Sequence, residues 1–261
     1  MNHVVPTYPS GHQLLAGKTV LITAAAGTGI GFAVAKRCAE EGATVVISDI
    51  HERRLHEAAE KLAPLQGGKP PPAQLCNVSL EADVERLLHF AIAQVGHVDV
   101  LINNAGLGGT ATVVDMTDEQ WHKVLDISLT GTFRCTRAAL RHMYARGKGA
   151  IVNNASVLGW RAQAGQAHYA AAKAGVMAFT RCSAIEAAEH GVRINAVAPS
   201  LAMHAFLARV TSDEMLEELT QREAFKRAAE PWEVANVMVF LASDYASYMT
   251  GEVVAVSNQH P

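Results

Sequence analysis

The chain has 261 residues, 49% hydrophobic and 18% charged, with a formal net charge of −3. That length fits one large α/β domain or two small ones and can bury a sizeable core. The charge leaves no electrostatic footprint for nucleic acid or an anionic membrane, and no apolar run approaches the ~18 residues needed to cross a bilayer.

The opening MNHVVPTYPSGHQLLAGK lacks the basic start and apolar core of a signal peptide, so a cytoplasmic protein is expected, with residues 1–16 as an N-terminal extension. From there short β-branched runs alternate with amphipathic stretches. KTVLIT (18–23) reads as a strand, and GFAVAKRCAEEG (31–42) as a helix ended by Gly42. TVVISD (44–49) is a second strand. ERRLHEAAEKLAPL is a helix broken at Pro64, GGKPPP is a loop, and AQLCNV is a third strand. SLEADVERLLHFAIAQVG is a helix with Ser79 as its cap, followed by the strand VDVLINNAG. TDEQ (117–120) is a capping box opening a long helix to about Tyr144. GAIVNNAS is a fifth strand, and the next helix carries Tyr169. VRINAVAP and EVVAVS are the sixth and seventh strands, and Pro231 starts the helix PWEVANVMVFLASD between them.

This alternation predicts a Rossmann-like, doubly wound parallel sheet of about seven strands with helices on both faces, in one domain spanning 1–261. Residues 201–230 break the pattern and are expected to cap the strand ends over a substrate. Within them Phe206, Leu207, Met215 and Leu219 are spaced as one helix face.

TAAAGTGIGFA links the first strand to the first helix. Such a loop brings backbone N–H groups to a pyrophosphate at a helix N-terminus, where the helix dipole also favours an anion. Asp49 follows Gly31 by 18 residues at the end of the second strand, the place for an acid that bonds an adenosine ribose diol. Its charge also repels a 2′-phosphate, so NAD is expected over NADP, although Arg53 and Arg54 lie close by.

HYAAAKAG (168–175) sets Tyr169 and Lys173 one helical turn apart on one face. A free phenol, with a pKa of ~10, is a poor base at neutral pH, and a neighbouring ammonium is expected to lower it. Cys38, Cys76, Cys135 and Cys182 form no C-x-x-C pair and read as reduced thiols. His51 and His56 point ~140° apart on a helix, so no metal site is expected.

Taken together, these motifs resemble the short-chain dehydrogenase/reductase family from about Gly17 to about Ser257. The family's N-N-A-G appears as Asn103–Gly106, and its Ser…Tyr-x-x-x-Lys set as Ser156, Tyr169 and Lys173. Its N-x-x-x-P-G appears as NAVAPS. The resemblance implies Tyr169 as acid/base, Lys173 as its tuner and holder of the nicotinamide ribose, and Ser156 as donor to the substrate oxygen. It implies a dinucleotide held by Gly27, Thr28, Gly29, Ile30, Gly31, Asp49, Asn77, Val78, Asn104, Ala105, Gly106, Tyr169, Lys173, Pro199 and His204. It also implies a homotetramer acting on a small alcohol or ketone.

Several positions depart from the family pattern. Ala24 stands for the first loop glycine, and the loop has one extra residue, so the phosphate turn should differ locally, with Gly27 restoring flexibility. Asn77 stands for an Asp near the adenine, where its amide oxygen can still accept. Ser128 stands for the fourth catalytic residue, an Asn that supports a water relay. Ser200 stands for a Gly, and His204 for a Thr at the nicotinamide carboxamide. NNASVLGWRAQ, RCSAIEAAEHGVRINAVAPS and TGEVVAVSNQHP are similar to actinobacterial steroid-catabolism reductases of the family, which act on indane-propionate intermediates or their CoA thioesters. Trp160, Arg161 and Gln163 follow the fifth strand and either meet substrate or pack at a subunit contact. Trp160 suits a flat alicyclic group, and Arg161 a carboxylate or CoA phosphate. Two other functions compete: a 3-oxoacyl-thioester reductase and a nucleotide-sensing protein without catalysis.

Overall fold

The computed structural model describes residues 5–203 and 213–258. Seven parallel strands form one sheet in the order β3-β2-β1-β4-β5-β6-β7. They are β1 (Thr19–Ile22), β2 (Thr44–Asp49), β3 (Ala73–Leu75), β4 (Val100–Asn103), β5 (Gly149–Asn154), β6 (Val192–Pro199) and β7 (Val253–Val256). The chain reverses direction across the sheet between β1 and β4, so a crevice opens outside their carboxyl ends.

Alternate residues of each strand face opposite sides, and both sides are apolar. Val20, Ile22, Val45 and Ile47 pack under α1 (Ile30–Glu40), α2 (Glu52–Leu62) and α8 (Pro231–Ala242). Leu21, Val46, Leu101 and Ile151 pack under α3 (Glu81–Val95), α5 (Gly131–Arg146) and α6 (Ala167–Ala188). The doubly wound sheet expected from the sequence is the one observed.

Several local expectations need correction. Residues 5–16 lie along the surface but are anchored: Leu15 is fully buried, and the His12 and Leu14 amides donate to the buried Glu41 carboxylate at 2.8 and 3.1 Å. Arg37 donates to the same carboxylate at 2.6 Å and to the Pro9 carbonyl at 3.0 Å, which fastens the segment to α1. Ser79 does not cap α3, whose N-cap is Leu80. Instead the Ser79 amide and hydroxyl both donate to Asn77 Oδ1, a local Asx turn that competes with capping. The helix opened by the Thr117–Gln120 capping box is also not continuous. It runs as α4 (Asp118–Leu125), widens into one π turn over Asp126–Thr130, and resumes as α5.

Of the expected cap, His204, Phe206 and Leu207 lie outside the described residues. α7 (Asp213–Arg222) turns Leu216 inward and leaves Met215 exposed, so Met215 does not lie on the buried face.

Candidate active site

The glycine loop leaves β1 through Ala24, which adopts φ 51°, the left-handed region that normally calls for glycine. The departure seen in the sequence is therefore a strained residue, and Gly27 follows at φ +89°. The left-handed form costs an L-residue about 1–2 kcal/mol, and a glycine avoids that cost but gives back roughly half of it to the greater entropy of its unfolded chain. Ala24→Gly should accordingly raise thermal stability by about 0.5–1 kcal/mol, or about 1–3 °C by scanning calorimetry. An unchanged or lower melting temperature would contradict this.

Gly29 ends the loop as the N-cap of α1. No side chain caps it, and no acidic residue sits in the first turn. The first-turn N–H groups therefore face outward in the manner of an anion site. A Cβ on Gly27 would meet nothing within 4 Å, so the loop is an open cradle. Gly31 is different: a Cβ there would stand 2.1 Å from the Ala24 carbonyl oxygen and 2.4 Å from Asn104 Nδ2. Only glycine lets α1 approach the strand ends this closely.

At the end of β2 the Asp49 carboxylate accepts from the Ala26 amide at 3.2 Å and from the His51 amide at 3.0 Å. Burial pushes its pKa up, against the pull of the Ala26 amide and the Arg54 charge. Arg53 is held along α2 by Glu57 at 2.9 Å. A phosphate cradle with a ribose-side acid at its edge fits a nicotinamide dinucleotide.

Two asparagine pairs brace this cradle. Asn103 and Asn153 are in register on β4 and β5, so Asn104 and Asn154 follow side by side on the opposite face. Asn103 Nδ2 donates to Thr136 and to Asn153, each at 2.9 Å, and Asn153 Nδ2 donates to Thr180 at 2.9 Å. Asn104 Nδ2 donates to the Ala24 carbonyl at 2.9 Å, and Asn154 Nδ2 donates to Asn104 Oδ1 at 3.0 Å. The Thr23 hydroxyl accepts from the amides of Asn104 and Ala105 at 3.0 and 3.1 Å. Asn104 thus supports the loop through its side chain. The sequence reading passed over Asn153 and Asn154, although the repeated N-N at consecutive strand ends was the available signal.

Ser156, Tyr169 and Lys173 come together above these strand ends. Ser156 caps a short 3-10 turn through the Leu158 amide at 3.2 Å, and its hydroxyl lies close enough to the Tyr169 phenol to act on its proton. Lys173 is buried, donates to the Asn154 carbonyl at 2.5 Å and stands 5.6 Å from the Tyr169 ring centroid. Further along α6, a Cβ on Gly175 would lie 2.7 Å from Leu129, so glycine there lets the helix pack closely on the π turn.

The electrostatics differ from the sequence expectation. Burial pushes the Tyr169 phenol above its ordinary value of 10, and the neighbouring Ser156 hydroxyl pulls it partly back. Lys173 does not bring the phenol down. Burial lowers Lys173 itself, to about 8, because a charged ammonium loses solvation there.

Ser128 is turned to the loop after β4. It is fully buried on the π turn, where its hydroxyl accepts from the Leu107 amide at 2.9 Å and donates to the Leu107 carbonyl at 3.1 Å. Asn77 Oδ1 is already engaged by Ser79, so its oxygen is turned into the start of α3 rather than towards an adenine. The Val78 side chain is in the core beneath Gly131, which leaves only its backbone for a ligand. Arg161 donates to Ser257 Oγ at 3.1 Å, tying its loop to the tail after β7, and Trp160 is 43% exposed beside it. Gln163 is half-buried on the same loop, and Pro199 ends β6. No group of three or more metal-ligating side chains occurs among the described residues.

Residues 24–258 match the protein family described as Enoyl-(Acyl carrier protein) reductase. The chain belongs to the short-chain dehydrogenase/reductase family. It is an oxidoreductase that uses a nicotinamide dinucleotide. It is 61% identical, over 99% of its length and 98% of the relative's, to (5R,7aS)-5-hydroxy-7a-methyl-1-oxo-2,3,5,6,7,7a-hexahydro-1H-indene-carboxyl-CoA reductase of Mycobacterium tuberculosis. It is 37% identical, over 93% and 97%, to a 3-oxoacyl-acyl-carrier-protein reductase of Thermotoga maritima. A crystal structure of a short chain dehydrogenase from Mycobacterium smegmatis superposes with a TM-score of 0.88 at 56% identity, covering 99% of both chains. Relatives named as reductases leave the nucleotide-sensing alternative unfavoured.

Proposed function

We propose that this short-chain dehydrogenase/reductase is a carbonyl reductase for a fused-ring keto acid carried as a CoA thioester. The observation that carries the reading is the Tyr169 phenol, which stands beside Ser156 and the dinucleotide cradle and which burial pushes above its ordinary value of 10, so that it carries its proton through neutral pH. A bound reduced nicotinamide supplies the hydride. As the carbonyl carbon accepts it, the π pair moves to oxygen, and that oxygen takes the Tyr169 proton. Ser156 donates to the same oxygen while its charge develops. The Lys173 ammonium, with a pKa of about 8 and 5.6 Å from the Tyr169 ring centroid, is the proposed proton reservoir from which the phenol is recharged. The 61% identity to an indene-carboxyl-CoA reductase supports the substrate class. Trp160 and Gln163 remain candidates for the substrate wall.

NAD is the proposed dinucleotide, because the Asp49 carboxylate closes β2 beside the glycine loop, where it accepts from the Ala26 amide and would repel a 2′-phosphate. Thr28, Ile30, Ala105 and Gly106 line the proposed cradle, with Lys173 at the ribose. The same reading includes a homotetramer, whose contacts would cover the exposed Phe133, Ile185 and Tyr248. The test is steady-state reduction of the bicyclic keto-acyl-CoA with each dinucleotide. The expected result is turnover with NADH favoured about tenfold or more in kcat/KM, a difference of ~1.4 kcal/mol. A tenfold preference for NADPH contradicts the cofactor assignment, and no reduction with either contradicts the function.

A further inference from the structure

The loop after β4 presents three exposed glycines to α6, and each stands against a different side chain. A Cβ on Gly106 would lie 3.3 Å from Lys173 Nζ. One on Gly108 would lie 3.7 and 3.9 Å from Tyr169 Cδ2 and Cε2, and one on Gly109 would lie 3.1 Å from His168 Nε2. None of the three has a positive φ, so the backbone itself accepts any L-residue here. What sets these positions apart is the face they leave bare.

The strip is also held in place. Ser128 grips both the amide and the carbonyl of Leu107, at 2.9 and 3.1 Å, on one side of Gly108. Beyond Gly109, the Ala111 amide donates to the Gly165 carbonyl at 3.1 Å, and Gln166 donates to Thr110 Oγ1 at 3.2 Å. A side chain added between these anchors could not be relieved by the loop drifting outward. At Gly108 a methyl would just touch the Tyr169 ring, and anything larger would lie over its edge.

We propose that Gly108 is a specificity-determining residue, the centre of a bare wall that leaves room for a fused bicyclic ketone beside Tyr169. This rests on the carbonyl-reductase reading above. An unbranched ketone can thread past a small side chain at this wall, whereas a rigid bicycle cannot fold away from it.

The test compares Gly108→Val and Gly108→Ala with the unaltered protein on trans-decalone, a fused bicyclic ketone, and decanone, an unbranched ketone with the same number of carbons. Thermal melting checks folding. The ratio of kcat/KM for decalone over decanone should fall by about tenfold or more in the valine variant, the scale of a hydrocarbon misfit in a shaped pocket. It should fall about threefold in the alanine variant, whose Cβ sits at ordinary contact distance and which decides the matter if the valine variant does not fold. A ratio within twofold of the original, or decalone refused by the unaltered protein while decanone is reduced, overturns the inference and leaves the reductase standing. Reduction of neither free ketone by the unaltered protein overturns the inference, and the bicyclic keto-acyl-CoA assayed beside them decides the carbonyl-reductase reading, which stands if that thioester is reduced and falls if it is not.

Discussion

Tyr169→Phe is expected to lower kcat for ketone reduction by ~10²-fold or more, the low end for losing a general acid. The phenylalanine keeps the ring that faces Gly108 and removes only the phenol oxygen. KM for the ketone and the Kd of the dinucleotide should therefore change little, which marks an interaction made in the transition state. Stopped-flow or steady-state reduction by the purified variant checks it. A rate within threefold of the original would remove Tyr169 from the proton-transfer step.

Gly31→Ala should damage the cradle itself. Its Cβ would collide with the Ala24 carbonyl and Asn104 Nδ2, both held by the hydrogen bond between them at 2.9 Å. Relief requires α1 to withdraw from the strand ends or the asparagine brace to break. Overpacking of this kind costs about 1–3 kcal/mol. Most of that should appear as weakened dinucleotide binding, about tenfold or more in Kd by titration calorimetry, since the displaced N–H groups are those that meet the phosphates. Gly27→Ala is the control: its Cβ meets nothing, so it bears only the strain of φ +89°. Equal losses in the two variants would mean that close approach at Gly31 is not what glycine provides there.

Much of the fold is legible in the sequence because it rests on local pattern. β2 is found to the residue, since TVVISD is a β-branched run bounded by a glycine-ended helix and a polar turn. Pro231 at the start of α8 and the Thr117 capping box are short-range chemistry and are read directly. The spacing of Tyr169 and Lys173 brings both to one face of α6, as a 3.6-residue period requires.

The rest depends on contacts between distant segments. The π turn exists where Gly175 lets α6 press on Leu129, and no local pattern around 126–130 announces it. Nothing around Ser128 in the sequence names the partner of its hydroxyl, which is Leu107, 21 residues away. The sign of the Tyr169 shift was misjudged for a related reason. Sequence shows a charge one turn away, but burial is a property of the whole packed site, and here desolvation is the larger influence on both Tyr169 and Lys173.

The central claim is that Tyr169 gives its own proton to the substrate oxygen, and the pH dependence of single-turnover ketone reduction tests it most directly. An acid works only while protonated, so a raised pKa moves the loss of activity upward in pH. The rate constant should hold level through the Lys173 titration at about 8 and decline only above the ordinary tyrosine value of 10. Alcohol oxidation, which needs the phenolate, should instead climb with pH over the same range. A reduction rate that already falls through about pH 8 would contradict the claim and make the lysine ammonium the group on which the step depends.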